Sequence, residues 1–246
     1  MSRRYRTEMV MAAGLLLLAV ARYGSASEAE RGHVHMNDNP RVGMLLVDQL
    51  EWQNASGDPL VWNVSARLGN DTGRVWFRSE GEMPDGDVES SRSELLWARY
   101  FSPWWEVVGG VRQDAGTGPG RTYGLIGVQG LAPYWFHVEA DLFAGERGQV
   151  GARAEAKYDI LLTNRLILQP RAELQAWGKD DDDTGVGSGL SAAELGLRLR
   201  YEIRREFAPY LGVEWSGVVG DTADLARAAD EDVRDVRLVA GLRFWF

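Results

Sequence analysis

The residues best suited to bind a metal ion lie together near the start of this 246-residue chain. His33 and His35 flank a single valine, and Met36 follows directly. Imidazole nitrogen suits Cu(II) and thioether sulfur suits Cu(I), so these three residues are a candidate copper site. A solvated His-x-His pair that binds nothing is the simpler interpretation of the pair taken alone.

Composition excludes several other classes of site. The chain has no cysteine, which excludes a disulfide framework, thiolate zinc sites and iron–sulfur clusters. With 27 basic and 36 acidic residues the formal net charge is −9, so no nucleic-acid partner that needs a basic face is expected.

His137 is the third histidine of the chain, and it lies between Trp135 and Glu139. A histidine near acids can act as a catalytic base, and outer-membrane phospholipases use a serine with a histidine. Those enzymes act at the lipid-facing surface of a β-barrel. The alternation of apolar and polar residues around His137, described below, places His137 on the opposite face of its strand. We therefore interpret His137 as a hydrogen-bonded interior residue and expect no enzymatic activity.

The first 27 residues have the three parts of a secretory signal peptide, assigned to 1–27. Arg3, Arg4 and Arg6 precede an apolar run over 10–21, and small residues follow at 24–27. The apolar run is too short to span a bilayer. Residues 28–43 then form a short periplasmic tail that carries the histidine and methionine candidates.

From residue 44 to residue 246, apolar and polar residues alternate with the period of two that predicts β-strands. In 193–201, for example, alanine, leucine and tyrosine alternate with glutamate, glycine and arginine. The fold class predicted is all-β, an up-and-down antiparallel transmembrane β-barrel of about twelve strands. The strands are expected at 44–53, 60–69, 74–80, 91–100, 104–113, 121–130, 134–143, 149–160, 166–177, 191–202, 207–216 and 234–246.

Two patterns favour a membrane barrel over a soluble lipocalin-like barrel. Tight turns alternate with longer loops, expected at 81–90, 114–120, 178–190 and 217–233. The charged set is large, and we expect it to face the interior and form ion pairs. Its members are Arg153, Glu155, Lys157, Arg171, Glu173, Arg198, Arg200 and Glu214. The terminal Phe246, with Phe244 before it, resembles the signal by which barrels of the cell outer membrane are recognised for insertion. An even number of strands together with the signal peptide would place both termini in the periplasm.

Several longer stretches resemble the copper resistance protein B family of outer-membrane proteins. They are residues 35–40, DQLEW at 48–52, GVQGLAPY at 127–134, LLTNRLILQPR at 161–171, the run 187–210, AGLR at 240–243 and the terminal Trp245-Phe246. The resemblance covers residues 35–246. It implies a barrel that serves copper tolerance, commonly alongside a periplasmic multicopper oxidase. Many relatives carry a long segment rich in methionine and histidine before the barrel, which is reduced here to His33, His35 and Met36.

The function expected is therefore that of an outer-membrane copper resistance protein that binds or helps handle copper ions. Its expected partners are outer-membrane lipid, copper ions and a periplasmic multicopper oxidase, and its expected metal ligands are His33, His35 and Met36. Two alternatives stay open at this point: a barrel enzyme acting on lipid, and a general small-solute pore.

Overall fold

The computed structural model describes residues 39–55, 57–116, 119–146, 148–181, 185–230 and 232–246. The predicted signal peptide and most of the predicted tail lie outside these residues. No helix in the described part of the chain is both long and apolar enough to cross a membrane.

The described residues form twelve strands of eight to thirteen residues and one two-residue strand. Valine, leucine and aromatic side chains at alternate positions favour this pleated conformation. In chain order the strands are β1 (Val42–Gln53), β2 (Leu60–Gly69), β3 (Arg74–Met83), β4 (Ser90–Ser102), β5 (Trp105–Gly116), β6 (Arg121–Ala132), β7 (Phe136–Gly145), β8 (Val150–Lys157), β9 (Ile160–Leu161), β10 (Leu166–Trp177), β11 (Gly189–Tyr201), β12 (Phe207–Val218) and β13 (Arg234–Trp245).

The sheet closes on itself, which confirms the predicted up-and-down barrel. Each long strand pairs antiparallel with its neighbours along the chain, and β10 pairs with both β8 and β11. The last strand, β13, pairs with β1, with Glu51 opposite Gly241. In the described part of the chain, closure pairs the first strand with the last, as in other closed barrels.

The two ends of the barrel differ. We call the end where β1 begins and β13 finishes the terminal end, and the opposite end the loop end. Connections at the terminal end include the two residues 103–104 and the three residues 133–135. The longest connections, 178–188 and 219–233, both lie at the loop end.

The connections 178–188 and 219–233 confirm two of the predicted long loops. The loops expected at 81–90 and 114–120 are shorter than predicted. They shrink because β3 continues to Met83 and β5 continues to Gly116. The first strand begins at Val42, two residues before the predicted boundary of the barrel.

Two predicted strands are interrupted. The strand expected at 149–160 is divided into β8 and β9, because Asp159 leaves the ladder and accepts hydrogen bonds from Gln169 and Arg200. The strand expected at 134–143 begins at Phe136, because Tyr134 and Trp135 adopt left-handed backbone conformations in a tight turn. Non-glycine residues seldom adopt that conformation, and the pattern of apolar residues does not show it.

A helix occupies part of the loop expected at 217–233. This helix, α1 (Gly220–Ala228), has Asp221 in its first turn and Arg227 in its last, as the helix dipole favours. Thr222 and Ala223 are buried against the neighbouring loop end of the barrel.

The outer and inner faces have the predicted chemistry. Leu197, Leu211 and Val236 are exposed on the outer face, whereas the neighbouring Arg198 is buried in the interior. One inner corner is apolar, which the sequence did not indicate. Its buried members are Leu96, Ala98, Val108, Tyr123, Leu125 and Phe143, with Trp76 and Trp177 packed against them.

Candidate functional site

The predicted copper ligands His33, His35 and Met36 lie outside the described residues, so the copper site stays a prediction. Within the described ranges, no group of three or more His, Cys, Asp and Glu side chains has the arrangement of a metal site.

His137 lies on the interior face, as predicted, because it pairs directly with Lys157 of β8. Its side chain is exposed at the terminal end instead of being enclosed among interior groups.

The interior charges predicted from the alternation are buried and paired, which confirms that prediction. Arg153 of β8 donates to both oxygens of Glu173 on β10, at 2.6 and 2.8 Å. Arg171 donates from Nε to Glu155 at 2.8 Å and from Nη1 to Glu194 at 3.1 Å. The bidentate contact of Arg153 with Glu173 is the strong form of an ion pair.

A second set of contacts crosses the lumen instead of joining neighbouring strands. Arg78 on β3 reaches β7, where its Nη1 lies 2.6 Å from Glu139 and its Nη2 lies 3.2 Å from Asp141. The Nη2 atom of Arg153 on β8 lies 3.6 Å from Glu80 on β3. The lumen is therefore spanned by side chains at mid-height.

Asp48 enters this network because β1 is irregular. The register of β1 shifts after Val47 against both β2 and β13, which is the sign of a β-bulge. The bulge turns Asp48 inward, where Oδ2 accepts from Lys157 at 3.0 Å and Oδ1 accepts from Arg243 at 2.8 Å. We did not predict this role, although two adjacent polar residues, Asp48 and Gln49, break the alternation and signal it.

Glu51 is the most enclosed of the interior carboxylates, with 0% of its surface exposed. Arg198 donates to both of its oxygens at 2.8 and 3.0 Å, and the Tyr210 hydroxyl donates at 3.0 Å. Gln53 supplies a fourth hydrogen bond at 2.9 Å. All of these donors offset the cost of burying the carboxylate.

Two cavities lie along the barrel axis. The larger, about 820 Å³, opens at the loop end, and we call it the vestibule. The smaller, about 90 Å³, lies nearer the terminal end between Leu46, Asp48 and Lys157, and we call it the lower chamber. Glu80 and Arg92 line both cavities and separate them.

The vestibule has an aromatic wall and a roof made by the long loops. Tyr123 and Trp177 line it, with their ring centroids 5.7 Å apart. In the roof, Asp181 accepts from Arg121 at 2.9 Å. The Gly187 amide donates to the Thr222 hydroxyl of α1 at 2.9 Å, which joins the two longest loops.

Comparison with known proteins agrees with the resemblance described above. Residues 41–246 match the family profile described as "Copper resistance protein B precursor (CopB)". Copper resistance protein B of Escherichia coli is 45% identical over 217 residues, which cover 88% of this chain and 73% of that protein. The copper resistance protein B homolog of Pseudomonas syringae pv. tomato is 49% identical over 216 residues, which cover 87% of this chain and 73% of that protein.

Among solved structures, the NanC porin is similar with a TM-score of 0.52 and 10% sequence identity, covering 82% of this chain and 99% of the porin chain. At this identity the similarity shows a shared barrel fold alone. The match of the family profile over residues 41–246 is far more specific, and by it the chain belongs to the copper resistance protein B family.

Proposed function

We propose that this chain is a non-enzymatic outer-membrane protein of copper resistance that binds or helps handle copper ions at the outer membrane. The match to copper resistance protein B over residues 41–246 carries this proposal. It gains support from a barrel with an apolar outer face and an ion-paired interior, the arrangement of a barrel that spans lipid.

The outer face supports the proposed location. Apolar side chains such as Leu142, Leu195 and Leu238 are more than half exposed, and a soluble protein rarely exposes a continuous apolar band. Trp104, Tyr134 and Trp135 are exposed at the terminal end, where aromatic rings suit the boundary between lipid and water. The lipid of the outer membrane is therefore the first partner that we propose.

For copper itself we propose His33, His35 and Met36 as ligands. The two imidazoles and the thioether match both oxidation states of copper. Three ligands make an incomplete site, so we expect modest affinity unless a partner completes it. A periplasmic multicopper oxidase is the partner proposed, since the tail would lie on the periplasmic side.

The test is a calorimetric titration of copper into the purified, folded protein. Wild type should bind copper saturably, and the His33→Ala/His35→Ala variant should lose most of that binding while its unfolding temperature stays unchanged. His137→Ala is the matched control, because it removes the third histidine of the chain from the barrel and should bind as wild type does.

Equal binding by wild type and the double variant would refute the tail as the site and move it to the interior carboxylates and His137. Absence of binding by wild type, together with unchanged copper tolerance when the chain is deleted from its host, would contradict the copper role itself.

A further inference from the structure

A long apolar groove crosses the outer face of the barrel. It has a volume of about 560 Å³ and extends from Val107 on β5 to Leu190 on β11. Five strand spacings of about 4.8 Å separate these two strands, so the groove follows the wall for about 24 Å. Val107 lies near the terminal end and Leu190 near the loop end, so the groove rises through the apolar band. A groove of this length and volume suits an extended hydrocarbon chain.

The groove exists because alanines form its floor and larger side chains form its walls. Ala154 on β8 lies between Ala140 on β7 and Leu174 on β10. Ala152, the next outward residue of β8, lies beside Leu142. Both leucines are exposed and stand above the alanine methyl groups. In a bilayer an unfilled groove would lose dispersion contacts, and an apolar groove does not hold water, so hydrocarbon is its natural occupant.

An arginine lies on the outer face beside the part of the groove nearest the terminal end. Arg99 of β4 pairs directly with Val107, and directly paired residues share a face of the sheet. Its outward neighbours on β4 are Trp97 and Phe101, both more than half exposed. Arg99 is itself exposed and has no ion pair with any residue that the structure describes. A charge on a lipid-facing wall is costly unless it reaches an anion at the membrane surface.

We propose that this surface binds one glycerophospholipid of the periplasmic leaflet, with its phosphate on Arg99 and an acyl chain along the alanine floor. Arginine binds phosphate oxygens through paired N–H donors. Arg99 lies three residues before the end of β4 at the terminal end, which faces the periplasm if the termini do. The assignment rests on the proposed outer-membrane location and is independent of copper binding by the tail.

The test is native mass spectrometry of the detergent-folded barrel titrated with dioleoyl-phosphatidylglycerol. Wild type should bind one lipid, and Arg99→Gln and Ala140→Leu should each need at least about tenfold more lipid for the same occupancy. Ala154→Leu fills the floor at a second point and should weaken binding in the same way. Dioleoylglycerol has the same chains without a phosphate, so wild type and Arg99→Gln should bind it equally weakly.

Two matched controls change the outer face away from the groove. Arg234→Gln removes an exposed arginine at the loop end of β13. Ala240→Leu adds the larger side chain between Trp52 and Leu211. Both variants should bind phosphatidylglycerol as wild type does, because neither touches the groove or its arginine.

Folding of each variant is checked by the shift in gel mobility on heating. A wild type that does not fold in detergent would contradict the membrane barrel itself. A folded wild type that binds phosphatidylglycerol no more tightly than Arg99→Gln and Ala154→Leu would overturn the lipid site alone. Tighter binding of lipid A than of phosphatidylglycerol, or a dimer of barrels that Ala154→Leu dissociates, would overturn the assignment of the groove to a periplasmic phospholipid.

Discussion

At the scale of single residues, the interior depends on which face each charge occupies and which partner it meets. The faces could be predicted, because Arg153, Glu155 and Arg198 follow the period of two, and all three are buried inside. The partners could not be predicted from the sequence. A contact such as Arg153 with Glu80 depends on the width of the closed barrel and on the stagger of its strands. Asp48 escaped prediction because a bulge changes the face of one residue only.

Glu51 gives the sharpest stability prediction at this scale. Glu51→Ala removes the acceptor of two hydrogen bonds from Arg198 and of one each from Tyr210 and Gln53. These buried donors lose their partner, and Arg198 keeps only Glu214 as a carboxylate partner, so we expect a loss of about 3 kcal/mol in folding stability. The fraction of folded barrel on unheated gels after incubation at rising temperature measures it.

Asp224→Ala is the control for Glu51→Ala. It breaks the exposed Asp224–Arg227 pair of α1, and exposed pairs contribute at most about 1 kcal/mol. If Glu51→Ala and Asp224→Ala lost the folded form at the same temperature, the Glu51 site would not be enclosed as described.

At the scale of elements, strands were predictable and their interruptions were not. The alternation predicted β2 and β10 with their observed bounds, since each has a regular period. The division between β8 and β9 follows from contacts of Asp159 with other strands, which a local pattern does not contain. Helix α1 was missed because a nine-residue segment of mixed polarity resembles a loop.

The seam between β1 and β13 yields a prediction about the last residue. Phe246 exchanges two backbone hydrogen bonds with Leu45, at 2.9 and 3.0 Å. Deletion of Phe246 removes both bonds and the terminal ring, so less of the protein should reach the folded, heat-modifiable form in outer membranes. Phe246→Tyr keeps the bonds and an aromatic ring and should insert as wild type does. Normal insertion of the deletion variant would refute this role of the seam.

The contact between the two longest loops yields a prediction about Thr222. Thr222→Val keeps the shape of the side chain but removes the hydroxyl that accepts from the Gly187 amide, at a cost of about 1 kcal/mol. Hydrogen exchange at Gly187 should become faster, whereas Thr222→Ser should retain its protection. Unchanged exchange in the valine variant would mean that the hydroxyl does not hold the roof.

At the scale of the whole molecule, the fold and the family were within reach of the sequence, and the interior layout was not. Period-two strands predicted the barrel, and long stretches such as 161–171 carried the family resemblance. The two chambers depend on how side chains from opposite walls meet, so they become visible only in three dimensions. The proposed copper ligands lie outside the described residues and stay a prediction.

The central claim is that the barrel spans the outer membrane with its apolar face in lipid, and one measurement tests it directly. The chain has no cysteine, so single spin labels can be placed through Leu174→Cys and Gln175→Cys on β10. Leu174 is 48% exposed on the outer face, and Gln175 lines the vestibule.

In native outer-membrane preparations, the label at 174 should collide mainly with dissolved oxygen, which partitions into lipid. The label at 175 should collide with a water-soluble nickel complex, since the vestibule opens to solvent. Access of the nickel complex to both labels, or recovery of the labelled protein in the soluble periplasmic fraction, would contradict the account.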